Sequence, residues 1–423
     1  MRIAIVGAGI AGNVAARALH REHDIAVFEA AGHIGGHTHT HSIDAGVERH
    51  EIDTGFIVFN DRTYPSFVAL LEELGVASQP TPMSFSVRNE ASGLEYNGTS
   101  LDGLFAQRRN LLRPSFHRML RDILRFNLEA PELLDGEQEL SLHDYLQEKR
   151  YSAAFIRDYL IPMGAAIWSA EPARLLGFPA RFLVRFFHNH GMLSVNARPQ
   201  WRVVRGGSAR YVEKLVAPFR HRIRLNAPVV SVRRLADRVL VRAFGAEPER
   251  FDYVFFACHA DQALAMLADA TPLEREVLGA LQYQENEAVL HTDASLMPRS
   301  RRAWAAWNYH VPAHPSGPAT VTYNMNILQG LAARETYCVT LNRTREIDPR
   351  RVLKRLTYQH PQFTPRAVAA QRRQGGLNGA RRSFFCGAYW RFGFHEDGVA
   401  SALAAVRHFE DLRHAQRDLP RVA

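Results

Sequence analysis

Near the start of the chain, Gly7-Ala8-Gly9-Ile10-Ala11-Gly12 has the residue types and spacing of a loop that wraps a diphosphate. It follows a short apolar run, Arg2 to Val6, that reads as a strand buried on both faces. A helical pattern runs from Asn13 to Glu22, and a second strand, Ile25 to Phe28, ends on Glu29. Each part has a mechanical reason. Gly7 permits a tight turn, Gly9 lets the backbone approach phosphates, and Gly12 lets helix and strand pack closely. The helix N-terminus offers free N–H groups and the positive end of its dipole. Glu29 stands where a carboxylate accepts from ribose hydroxyls, and its charge disfavours a 2′-phosphate. The expectation is a dinucleotide site that does not take NADP.

Other residues able to do chemistry are less pointed. His33, His37, His39 and His41 lie close in sequence, but Gly35-Gly36 runs through them. No carboxylate or cysteine set completes a metal site, and none is expected. His188, His190 and His291 are candidate acid–base groups, although a buried structural role is the commoner fate of a histidine. Trp304, Trp307, Tyr309, Tyr323, Tyr389 and Trp390 could wall a ligand, with core packing as the plain alternative. Gly206-Gly207-Ser208 lacks the G-x-S-x-G context of a nucleophile. Cys258, Cys338 and Cys386 are far apart, in no metal spacing, which suits a reducing compartment without a disulfide framework.

The elements that position these groups need room. A chain of 423 residues, 46% hydrophobic and 22% charged, is an ordinary globular protein too long for one core. Net charge is +9, carried by arginine; Lys149, Lys214 and Lys354 are the only lysines. No basic and aromatic cluster forms a nucleic-acid module, so no nucleic-acid partner is expected. With a strand beginning at Arg2 no signal peptide is expected, and no apolar run is long enough for a membrane span. From Asn110 to Asn127 apolar residues recur at helical spacing between Arg113, Arg118, Arg121 and Arg125. That pattern suits an anionic lipid surface, and equally a helix packed on its own domain. The expected location is cytoplasmic, either free or peripheral to the inner face of the membrane.

Past Glu29, the string Gly32-His33-Ile34-Gly35-Gly36-His37-Thr38 resembles the FAD-dependent amine oxidases, phytoene desaturases and protoporphyrinogen oxidases. That family carries a Gly-Gly doublet beside the cofactor phosphates, followed by a basic residue, usually arginine, where this chain has His37. Later segments resemble the same family: Arg202 to Ser208, Leu225 to Val230, Phe251 to Ala257, and Phe384 to Trp390 leading to Gly393–Gly398 and a terminal helix. The resemblance implies an α/β fold, a Rossmann-like FAD-binding domain of the glutathione-reductase type with a discontinuous, inserted α+β substrate domain. Residues 1–78, 198–270 and 375–423 would form the FAD-binding domain, and 79–197 and 271–374 the substrate-binding domain. FAD would be held non-covalently by Gly7, Gly9, Gly12, Glu29, Gly35, Gly36, His37, Val229, Gly387, Glu396 and Gly398. Val229 would meet the adenine through its backbone. Ala388 stands where an acid is usual, and Glu396 or Asp397 would compensate.

Three readings fit that resemblance. Flavin amine oxidases usually keep a lysine near the flavin, and Lys354, in a segment that reads as an exposed helix, is the only lysine in the corresponding region. The strings Ala166–Ser169, Asn189–Leu193, Arg198–Trp201, Trp304–Tyr309 and Gly393–Gly398 are similar to a bacterial NAD/FAD-binding branch related to fatty-acyl desaturases and double-bond isomerases. That branch implies an unsaturated or methylated acyl substrate, free or still on a phospholipid, and hydride transfer to the flavin. A non-catalytic flavin-binding protein is the remaining alternative.

Overall fold

A computed structural model of the chain describes residues 1–46, 48–136, 139–194, 198–314 and 317–417. The chain begins with β1 (Arg2–Val6), α1 (Ile10–Leu19) and β2 (Asp24–Phe28), followed by a hairpin of β3 (Thr40–Ala45) and β4 (Glu48–Asp53) and by α2 (Pro65–Glu73). Strands β5 (Phe85–Asn89) and β6 (Leu94–Asn97) lead into α3 (Leu101–Leu104), α4 (Pro114–Glu129), α5 (Ile161–Trp168) and α6 (Ala180–Asn189). Next come α7 (Ala209–Val216), β7 (Ile223–Arg224), β8 (Tyr253–Phe256) and α8 (Ala260–Met266). Strands β9 (Tyr283–His291), β10 (Trp307–Val311), β11 (Val321–Asn324), β12 (Cys338–Leu341) and β13 (Val352–Pro361) follow. The last are β14 (Ser383–Phe385) and the long α9 (His395–Arg417).

Two sheets organise the molecule. The first is wholly parallel, in the order β7-β2-β1-β8-β14. Its strands alternate between two cores. Ile3 and Ile5 pack with α1 and α9, while Ala4 and Val6 pack with Phe256 and Phe385 on the opposite face. Burial on both faces is why these strands are apolar runs rather than alternating ones. Each large side chain buried there contributes about 1.5–3 kcal/mol relative to exposure.

The second sheet has seven strands in the order β13-β9-β12-β11-β10-β5-β6, antiparallel except where β10 meets β5. Its strands come from two distant stretches of chain, so the first insert is not purely helical: it lends β5 and β6. One expectation is corrected here. The segment from Arg350 to Leu356 is not an exposed helix; most of it is the start of β13, a ten-residue strand at the sheet edge. An edge strand leaves a charged flank in solvent, and Lys354 is exposed there. The first-insert helix expected over 110–127 is α4, preceded by a 3-10 turn at Arg108–Leu112. Among the described residues, no helix is long and apolar enough to cross a membrane.

Candidate functional site

A cavity of about 1680 Å³ begins at the glycine turn and runs under the seven-stranded sheet to α4 and α6. Pockets for a drug-sized ligand hold about 300–1,000 Å³, so this one has room for a dinucleotide and a second long molecule.

Its first wall is built by glycines at close quarters. Gly7, with φ +105°, donates its N–H to Phe28 O at 2.8 Å, and a Cβ there would lie 2.6 Å from Ala257 O. A Cβ on Gly12 would lie 1.9 Å from Gly7 O, so α1 packs directly on the turn. Gly9 is different. It stands at the start of α1 with open space where a Cβ would be, no side chain caps the helix, and no acid lies in its first turn. The free N–H groups of α1 therefore face the cavity, as an anion site requires. The Gly35-Gly36 loop lies on the same turn: Gly35 donates to Ala8 O at 2.9 Å, and Gly36 approaches Gly9 so closely that a Cβ would be 3.2 Å from its Cα.

Glu29 lines the cavity at the end of β2, with Oε2 accepting from Ala8 N and Oε1 from Ala31 N. Each oxygen keeps a lone pair for a ribose hydroxyl. Val229 and Pro228 line the wall beside it. Gly387, Ala388, Gly393 and His395 also line the cavity, gathered at the N-terminus of α9. Gly398 faces away and lets α9 pack on α1; a Cβ there would meet Ile10 Cγ2 at 2.8 Å.

Of the residues expected to hold the cofactor, Gly7, Gly9, Glu29, Gly35, Gly36, His37, Val229 and Gly387 line the cavity; Gly12 and Gly398 shape it from behind. Glu396 requires a correction. Its carboxylate is buried and accepts from Ser66 N at 3.1 Å and Phe67 N at 2.9 Å, capping α2 instead of facing the cleft. The reason is geometric: at the second position of α9 its side chain points sideways, toward free amides that need an acceptor. Asp397 likewise accepts from Phe394 N and Phe392 N.

Several contributors carry no sequence signal of their own. His395 stacks on Phe56, with ring centroids 3.7 Å apart, and its Nε2 lies 2.7 Å from Tyr211 Oη. Burial holds its pKa down at about 3, so the ring is neutral. Asp53 ties the hairpin to the Ser208 segment, accepting from Ser208 N, Ser208 Oγ and Thr40 Oγ1. His33 stacks on His39, which meets the His41 ring at a tilt, whereas His37 turns to His360.

The far end of the cavity is apolar. Leu120, Ile123 and Leu124 of α4, Met163 and Ile167, and Phe186 of α6 line it, with Trp307 and Tyr323 in edge-to-face contact at 5.1 Å. Trp304, Tyr309 and Trp390 do not reach the cavity, and Asn308 bonds within the sheet to Ser86 and Thr322. His188 is exposed, and His291 is buried between Thr340 and the Asp293 amide. His190 lines the cavity. Its Nδ1 is 2.9 Å from Phe186 O, a contact that requires the proton on Nδ1 and leaves Nε2 as an acceptor. Burial lowers its pKa to about 4. Among the described lining residues, only Glu29 and Arg198 are carboxylate, lysine or arginine.

Comparison with known proteins agrees with this geometry. The family model described as flavin containing amine oxidoreductase matches residues 10–291. A Mycobacterium tuberculosis protein named as a flavin-containing monoamine oxidase is 30% identical over 258 residues, 58% of this chain and 54% of the relative. The match thus spans about half the length of that curated relative. Among solved structures, cyclohexylamine oxidase from Brevibacterium oxydans has a TM-score of 0.69 at 17% identity, covering 97% of this chain and 99% of the other. A structure titled as a protoporphyrinogen oxidase from Exiguobacterium scores 0.69 at 18% identity, with coverages of 97% and 99%. A fatty acid isomerase from P. acnes, titled as producing CLA, scores 0.65 at 14%, with coverages of 96% and 98%. At these identities the three structures share the fold alone.

Proposed function

The chain belongs to the family of flavin-containing amine oxidoreductases and is an FAD-dependent oxidoreductase, and we propose that its substrate is an unsaturated or methylated fatty-acyl chain. The observation that carries this reading is the far end of the cavity, long, mostly apolar and, among the described lining residues, without a carboxylate to pair an ammonium group. Lys354, the lysine an amine oxidase reading would look to, is exposed on β13 and does not line the cavity.

The cleft fits FAD by its open helix N-terminus, its two crossed glycine loops and the carboxylate of Glu29. Bound there, the flavin supplies a two-electron hydride acceptor. The residues of the chain do the rest. Leu120, Ile123 and Phe186 exclude water and hold an acyl chain, and Trp307 and Tyr323 form an aromatic part of the same wall. Oxidation of a C–C bond releases a proton as well as a hydride, and Nε2 of His190 is the acceptor available for it. Loss of both, with a later acceptor reoxidising the cofactor, gives a desaturase; return of the hydride at another carbon gives an isomerase.

The mouth of the cavity supports a lipid source. Among the described residues, nine large hydrophobic ones are well exposed, and Leu101, Leu111, Leu112, Leu124 and Leu128 of these all come from α3, α4 and the turn between them. Leu124 both lines the cavity and is 55% exposed. Arg118 and Arg121 stand exposed on the same helix. Leucines ringed by arginines suit an anionic membrane surface, so we place the protein at the inner face of a membrane, drawing its substrate from the bilayer.

The test is expression in a bacterium with vaccenate-type lipids and a methylated or cyclopropane acyl pool, with a Gly9→Glu control. A new diene or a shifted double bond in total fatty acids, absent from the control, supports the reading. An unchanged profile from folded, yellow protein overturns it and favours amine oxidation, for which the Trp307–Tyr323 pair is the aromatic wall.

A further inference from the structure

A bound diphosphate brings two negative charges to the N-terminus of α1, and the cavity offers almost no permanent positive charge to meet them. Arg198 is the one arginine in the described lining, and no lysine is there. Arg198 adjoins Trp201, whose ring lies 6.1 Å from that of His190, toward the far end rather than the glycine turn.

Histidines stand where a cation would serve. His37 directly follows Gly36, the residue laid against Gly9. His259 lies two residues beyond Ala257, whose carbonyl abuts Gly7. His360 comes from β13. All three line the cavity; the His37 ring is stacked near that of His360 at 5.6 Å and that of His259 at 6.1 Å. We propose that His37 is the proton-dependent cation of the FAD site: FAD binding is coupled to protonation of His37, so retention of the cofactor falls as pH rises.

The surroundings single out His37 from its neighbours. The Nδ1 of His360 lies 2.9 Å from Asn286 Nδ2, and Asn286 Oδ1 accepts from Asn342 Nδ2 at 2.8 Å, which fixes the amide with its N–H₂ toward the ring. Nδ1 of His360 is therefore an acceptor, and the ring is held neutral with its proton on Nε2. His259 stacks on Tyr283 at 4.2 Å, lies 3.2 Å from Gln359 Oε1 and faces Asp261. His37 faces His259, His360, His395 and Tyr358, with no carboxylate among them. Burial first, and then His360, His259 and His395, hold His37 well below the ordinary histidine range. A dianion beside it reverses that balance, because an opposite charge at close range favours the charged ring.

The sign follows by linkage. If FAD raises the pKa of His37, the bound state takes up a proton, and affinity is greatest at low pH. Affinity then drops by up to about tenfold per pH unit until the pH passes the bound-state pKa. Serial dilution of the holoprotein between about pH 6 and pH 8.5, with free flavin read by its recovered fluorescence, gives Kd at each pH. The wild type is expected to weaken with rising pH. His37→Arg is expected to bind with little pH dependence, and His37→Gln weakly and equally flat. A wild-type Kd that does not change with pH overturns the proposal. A slope that persists in either variant overturns the assignment to His37 and moves the proton elsewhere. Where His37→Gln yields no folded protein, His37→Arg alone decides.

Discussion

Glu29 Oε2 accepts the backbone N–H of Ala8 at 2.7 Å, while its Oε1 accepts that of Ala31 at 2.8 Å. The acid at the end of β2 therefore braces the middle of the glycine turn as well as facing the ribose. Glu29→Gln keeps one acceptor oxygen and loses the charge; Glu29→Ala keeps neither. At about 1.5–3 kcal/mol for a hydrogen bond to a charged group, FAD should bind about tenfold more weakly to the first variant and about 100-fold more weakly to the second. Dilution of holoprotein with fluorescence detection measures both.

Two glycines of one motif should fail in different ways. Gly12→Ala forces a methyl against Gly7 O, and the folded protein should lose about 3 kcal/mol or more. Gly9→Ala meets nothing within 4 Å, so stability should change by less than about 0.5 kcal/mol while flavin affinity falls. Denaturant unfolding and flavin content, read on the same preparations, separate the two.

Glu396→Ala should behave as a capping mutant. It removes the acceptor of two amides at the start of α2, a loss of about 1–2 kcal/mol, and should leave flavin Kd unchanged. Weakened flavin binding at full stability would return Glu396 to the cofactor site.

What the sequence made legible is what short-range pattern encodes. The strand, glycine turn, helix, strand and acid of the first 29 residues are one local unit, and each glycine sits where its missing side chain matters. Glu396 could not be read this way, because its partners, Ser66 and Phe67, are more than 300 residues away in the chain. The Phe56–His395–Tyr211 contact is equally non-local. The start of β13 misled because Arg350 to Leu356 is dense in arginine and leucine, residues that form helices readily. Pairing with β9 overrides that propensity.

Burial pushes the Asp397 carboxyl up to about 7. An acid whose folded pKa is raised is more protonated in the native state, so stability falls as pH rises from about 4 to about 7. The ceiling is about 4 kcal/mol. Asp397→Asn keeps an acceptor for Phe394 N without the charge, and should flatten this part of the profile. Denaturation midpoints at pH 5 and pH 8, compared between wild type and variant, give the answer.

Leu124→Asp with Leu128→Asp places charge on the exposed leucines of α4. Sedimentation with vesicles containing anionic phospholipid should show binding reduced by about tenfold or more, with flavin content unchanged. Equal binding by wild type and variant would remove this helix from the membrane face.

The parallel sheet joins strands from the beginning, middle and far end of the chain: β1 pairs with β8, and β8 with β14 at Ser383–Phe385. During synthesis, then, the glycine turn leaves the ribosome long before the strand and helix that close its cleft. At about 5–20 residues per second, that interval is roughly 20–80 seconds. For the last part of it, the roughly 6–25 seconds between Phe256 and Ser383, the edge of β8 that will pair with β14 has no partner strand. The cleft is therefore complete only once the chain has passed Phe385.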